Sequence, residues 1–281
     1  LRSSLQEDLP PKIQYQVLAE HMAVDVVYDT PSSVRTVSLE DLEQWGVTFE
    51  EALAIGRDNL WNISNEPFGE LVPGTYVSTW QDTHDATRMF LHDLVWQLDV
   101  KGSHVAMVPD RNVLLVTGSE DAEGLLRMAE EAQQVLDESP RPLCGLAFIL
   151  NGSAWEPYLP PDDAPSYGKL SLLACQYMAS ACNEQKARLE DIYERDGTDV
   201  FVATYDAVQN SNTGRVRSYC TWARDTESLL PVTDLVGLFD SDLPKDDQYL
   251  GFARWSQVAS VAGGAMELCS EMYPPRYSVR E

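Results

Sequence analysis

The sequence predicts an α+β fold in which mixed or antiparallel sheet hairpins pack with helices, arranged as two similar lobes over residues 1–138 and 139–281. Three observations predict it. Apolar, β-rich runs come in pairs around turn signals, as in "HVAMVPDRNVLLVTG" and "LAFILNGSAWEPY". Stretches with apolar residues three and four apart lie between them, around 84–98, 120–137 and 167–196. A length of 281 residues with 44% hydrophobic content and seven Trp is enough for a real core without disulfides or metal.

Taken in order, "VDVVYD" (24–29) and "VRTVS" (34–38) predict a hairpin around Thr30-Pro31-Ser32-Ser33. Ser38 with Asp41 predicts a capping box that opens a short helix, and Gly46 supplies the left-handed residue that closes it. Thr48 with Glu51 is a second box that starts another helix at once, with Phe49, Ala52, Leu53, Gly56 and Leu60 on one apolar face. Trp45 and Val47 are expected to close over this junction as buried packing.

"TYVSTW" (75–80) alternates like a half-buried strand, and 84–98 reads as one amphipathic helix. The strands around Pro109-Asp110-Arg111-Asn112 are too uniformly apolar to have a wet face, which predicts a central hairpin. "ESPRP" (138–142) is the expected seam, followed by a hairpin turning at Asn151-Gly152 and a helix over 167–196 between Ser166 and Gly197. Two strands joined by "QNSNTG", a further strand at 235–240, a helix over 256–272 and an extended "YPPRYSVRE" held by Tyr273 and Tyr277 complete the reading. Helix 84–98 with the pair at 105–117 parallels helix 167–196 with the pair at 200–222, an order consistent with duplication.

Charge restricts the partners. With 45 acidic and 20 basic residues the chain carries −25, so it repels phosphate; nucleic acid and anionic membrane are excluded as partners, and a basic protein is favoured. The longest apolar run, "LCGLAFIL", is far short of the roughly 20 residues that span a bilayer, and "LRSSLQEDLPPKIQ" has no apolar signal core. Cys144, Cys175, Cys182, Cys220 and Cys269 lack a C-x-x-C pair and read as reduced, mostly buried thiols. A soluble cytoplasmic protein is expected.

No nucleophile elbow, P-loop or dinucleotide fingerprint occurs, and no cofactor or metal site is expected. "FDSDLPKDDQ" (239–248) gathers carboxylates without the register, glycine and closing Glu of a calcium loop. The densest polar cluster is "QDTHDATRMFLHD". On a continuous helix His84, Arg88 and His92 would share a face with Asp85 beside them and Asp82 at the cap. Imidazole, carboxylate and guanidinium so placed could orient a phosphate or act as a general base. Ordinary capping and an i,i+3 ion pair between Asp85 and Arg88 explain the same residues structurally.

"LEDLEQWGVTFEEALAIGRDNL", "DATRMFL", "AMVPDRNVLLV", "SLLPVTDLV" and "YPPRY" appear in an order that resembles the YtpQ-like family of uncharacterised bacterial proteins. The resemblance covers most of the chain and implies an intracellular bacterial α+β protein, with no catalytic residues to carry over. The leading expectation is a non-enzymatic protein-binding module with an acidic surface. The alternative is a hydrolase or phosphate-handling enzyme centred on Asp82, His84, Asp85, Arg88 and His92.

Overall fold

The structure is a computed structural model that describes residues 14–30, 33–210 and 215–279. The N-terminal lead-in, the centre of the Thr30–Ser33 turn and most of the "QNSNTG" loop lie outside the described residues. The fold is α+β, as expected, and divides into two compact units, Leu1–Pro160 and Pro161–Glu281.

The first unit begins with two hairpins, β1 (Gln16–Ala19) with β2 (Met22–Val24) and β3 (Val27–Thr30) with β4 (Ser33–Thr36). Helices α1 (Leu39–Trp45) and α2 (Phe49–Asn62) follow. Both expected capping boxes form, Ser38 with Asp41 and Thr48 with Glu51, and Gly46 closes α1 at φ 69°. Arg35 grips Asp41 with two hydrogen bonds of 2.7 and 3.0 Å, which ties β4 to the start of α1. Together with Ser38, that grip holds the Asp41 carboxyl below the usual carboxylate range. Thr48→Ala is expected to destabilise the first unit by about 1 kcal/mol in urea unfolding, because the Glu51 amide loses its acceptor.

β5 (Gly69–Val72), β6 (Thr75–Val77), the short α3 (His92–Val95), β7 (His104–Asp110), β8 (Val113–Gly118), α4 (Ala122–Glu138), β9 (Ala147–Asn151) and β10 (Ala154–Tyr158) complete the unit. The strands form one antiparallel sheet in the order β10-β9-β7-β8-β6-β5. β7 and β8 are central and buried from Val105 to Val108 and from Leu114 to Val116, as their unbroken apolar character predicts. α4 packs Leu125, Met128, Ala129 and Ala132 inward. The unit boundary falls after Pro160 rather than at the 138/139 seam, since β9 pairs with β7 and carries β10 into the same sheet.

The second unit holds α5 (Tyr167–Asp196), β11 (Phe201–Val202), β12 (Asp206–Gln209), β13 (Val216–Ala223), β14 (Ser228–Pro231), β15 (Leu235–Phe239), β16 (Tyr249–Arg254), α6 (Trp255–Ala262), β17 (Met266–Cys269) and β18 (Arg276–Val279). They make two four-stranded sheets, β11-β14-β18-β17 and β12-β13-β15-β16, each with one parallel pair. Ala203, Cys220, Leu230, Val236, Val258 and Val279 form a core cluster. The strand pair expected over 200–222 forms a hairpin, β12 with β13, as β7 and β8 do, but β11 breaks away into the other sheet, and two mixed four-stranded sheets stand where the first unit has one antiparallel sheet of six strands.

Three expectations fail, the last in part, for identifiable reasons. The helix over 256–272 stops at Ala262, because Gly263 adopts φ 48° and the chain enters β17. Trp45 is 45% exposed, resting against Tyr28 at 6.1 Å between ring centroids instead of sealing the helix junction. The terminal segment is held, as expected, by Tyr277, whose ring lies 5.4 Å from that of Trp255, and also by the fully buried Arg276, whereas Tyr273 is exposed. Arg276 Nε donates to Gln185 Oε1 at 2.6 Å, and its terminal nitrogens donate to the carbonyls of Cys182, Ala203 and Leu229 at 2.8 to 3.1 Å.

The five cysteines stand as thiols, four of them buried; burial raises the thiol pKa of Cys175 and Cys182 and pushes Cys220 up to about 11. No helix among the described residues is long and apolar enough to cross a membrane. No three His, Cys, Asp or Glu side chains among them gather as a metal site.

Candidate functional site: an acidic-rimmed apolar groove in the first unit

The stretch around 82–92 is not one helix. Gln81 and Thr83 take positive φ of 50° and 70°, a 3-10 turn covers Ala86–Phe90, and Leu91 (ψ 77°) separates it from α3. Tertiary hydrogen bonding overrides the helical periodicity here. Arg88 is fully buried, and its Nη1 and Nη2 donate to Asp82 Oδ1 and Oδ2 at 2.8 and 2.6 Å. Its Nε donates to Ser64 Oγ at 2.9 Å, Nη2 reaches the Ile63 carbonyl at 3.5 Å, and the guanidinium lies 4.2 Å from the Trp80 ring centroid. The planar fork is thus spent on holding the end of α2 to the 82–88 turn, with no donor facing solvent for a phosphate.

The remaining cluster members separate. The hydrogen bonds from Arg88 hold the Asp82 carboxyl below its ordinary range, and Asp82 Oδ1 also accepts from the His84 amide at 3.0 Å. Asp85 is fully buried; its Oδ1 accepts from the Gln81 amide at 3.2 Å, and it forms no ion pair with Arg88, which is taken by Asp82. His92 points elsewhere, its ring 6.0 and 6.3 Å from those of Trp96 and Trp155, and burial lowers its pKa so that it is neutral. The five residues therefore do not converge on one pocket.

His84 does face a cavity. A groove of about 420 Å³ lies between the 24–29 strand segment, α2 and the 84–90 turn. Val24, Val26, Leu53, Leu60, Ile63 and Phe90 supply its apolar walls. Asp25, Asp29, Arg57 and His84 supply the polar edge, and His84 Nε2 is 3.9 Å from Asp29 Oδ2. An apolar cleft of this size with a few polar groups has the character of a binding site. The exposed Val27, Tyr28, Ile55, Trp61 and Ile63 in the same segments add apolar surface to this part of the unit.

Gly56 lines the groove in the middle of α2, and a Cβ built there would meet nothing within 4 Å. Glycine within a helix costs about 1 kcal/mol relative to alanine. No neighbour in the chain requires it, and its effect is to leave the groove open. In the sequence Gly56 is visible only as a member of the apolar face of α2; the opposing wall is the 24–29 segment, legible as a strand but carrying no local signal that it faces α2 across a gap.

The fold and groove define an α+β protein of two units whose first unit carries an open apolar cleft beside a locked Arg–Asp clamp. No family model, curated protein or solved structure matches the chain.

Proposed function

We propose that this is a cytoplasmic, non-enzymatic member of the YtpQ-like family that binds another protein through the groove of its first unit. The occupant is a short apolar segment of the partner flanked by Lys or Arg. Gly56 is the observation that carries this reading: an unneeded helix glycine keeps a 420 Å³ apolar cleft free of side chains. Charge supports the sign of the partner. Asp25 and Asp29 at the rim outnumber Arg57, and the chain as a whole carries −25, so a basic segment is attracted and an acidic one repelled.

The hydrolase or phosphate reading would need Arg88 and His92 beside His84, and only His84 opens to the groove.

A designed helical peptide of alternating Leu and Lys faces, titrated against the full chain, tests the proposal. Binding should perturb the amide resonances of residues 24–29 and 53–63, weaken as NaCl is raised, and be absent for the Leu/Glu counterpart. Gly56→Leu should abolish this binding while stabilising the fold by about 0.5–1 kcal/mol, because leucine is a good helix former and the space is empty. Equal binding of both peptides, or undiminished binding to Gly56→Leu, would sink the proposal.

A further inference from the structure

We propose that β16 is the edge along which two copies of this chain pair, antiparallel and about a two-fold axis. β16 ends its sheet, so its outer backbone edge has no strand partner among the described residues. Such an edge invites pairing unless it is covered, charged or short. Here Tyr249, Leu250 and Phe252 are 53%, 58% and 48% exposed. Three large apolar side chains on one open six-residue edge is a combination found nowhere else among the described strands.

The strand is self-complementary. A two-fold axis between Leu250 and Gly251 sets Tyr249 of one copy opposite Phe252 of the other. The same axis brings Asp247, in the turn just before the strand, toward the Arg254 end of the other copy, and each of these pairs occurs twice. In a regular strand that register would put opposed side chains on different faces. β16 is not regular: its pairing with β15 slips between Leu238 and Phe239, where Leu250 is the extra residue.

The slip brings Tyr249 and Phe252 to the same face. Their rings are 5.6 Å apart, and both lie over Gly237, where a Cβ would meet them at 3.4 and 3.5 Å. Tyr219 joins this surface at 5.3 Å from Phe252. A bulge that ordinarily guards an edge instead makes this one register internally consistent and disfavours longer foreign strands. The exposed Asp246, Asp247 and Arg254 place opposite charges at the two ends of the edge, so an antiparallel copy matches and a parallel one does not.

Sedimentation velocity of the full chain over a wide concentration range tests this. A concentration-dependent dimer is expected, and moderate salt should strengthen it, because each copy carries −25 and long-range repulsion is screened first. Leu250→Lys should weaken the dimer by about tenfold or more, and Arg254→Asp likewise. The double variant Asp247→Arg with Arg254→Asp should restore it. Aspartate is a good residue at the N-cap of α6, the place Arg254 occupies, so dissociation cannot be ascribed to loss of that helix. A monomer at every concentration, a dimer indifferent to Leu250→Lys, or failure of the double variant to recover would each overturn the proposal.

Discussion

Arg276→Met is expected to remove about 3 kcal/mol from the stability of the second unit, the cost of stranding buried acceptors. The guanidinium ties β18 to α5, to β14 and to the residue after β11 through three carbonyls and Gln185. Two effects oppose each other. No carboxylate among the described residues accepts from this buried cation, and burial itself pushes its pKa down, so deleting the charge relieves a desolvation cost. Against that, the Gln185 oxygen and the Ala203 carbonyl lose a strong donor, whereas the Leu229 carbonyl keeps the Ala203 amide at 3.0 Å. Stranded acceptors cost about 1–3 kcal/mol each, which outweighs the relief. Arg276→Lys should be intermediate, since one ammonium cannot reach around a fork of acceptors. Urea unfolding followed through Trp222 and Trp255, which pack on the core cluster, would measure both; a loss under 1 kcal/mol for methionine would show that the acceptors find water.

Asp82→Ala should cost the first unit about 3 kcal/mol, and more than Arg88→Met. The asymmetry follows from exposure: the Arg88 side chain is 0% exposed and Asp82 31%. Losing the carboxylate leaves a buried cation with only Ser64, the Ile63 carbonyl and the Trp80 face, whereas losing the guanidinium leaves a carboxylate that water can reach. The clamp also predicts acid sensitivity. The folded carboxyl titrates below its unfolded value, so its contribution is whole above about pH 4 and is lost as pH falls through the lower folded pKa. The stability difference between wild type and Asp82→Ala should therefore shrink in acid; a difference constant from pH 7 to pH 3 would contradict the ion pair.

The legible parts of this chain are those where one local signal decides the outcome. The boxes at Ser38 and Thr48, the left-handed Gly46 and Gly197, and the Asn151-Gly152 turn need no distant partner, and each forms as read. β7 and β8 announced their central place through unbroken apolar character. The 82–92 stretch was misread because its period is helical while its geometry is set by Ser64 and Ile63, more than twenty residues earlier. Arg88 and Arg276 look like solvent-facing cations in sequence; only their acceptors reveal them as internal fasteners. The groove escaped notice for a related reason: one wall is a glycine, and the signal of a cavity is what the sequence lacks at that place.

Residues 201–209 leave one sheet of the second unit and enter the other with only three residues between β11 and β12. Asn183 of α5 clasps that crossing on both sides, its Oδ1 accepting from the Tyr205 amide at 3.2 Å and its Nδ2 donating to the Tyr205 carbonyl at 3.1 Å. A tether this short and this well anchored cannot take up slack. Fraying of either sheet is therefore expected to pull on the other and on α5, and with the core cluster that the two sheets share, to couple them in one unfolding step.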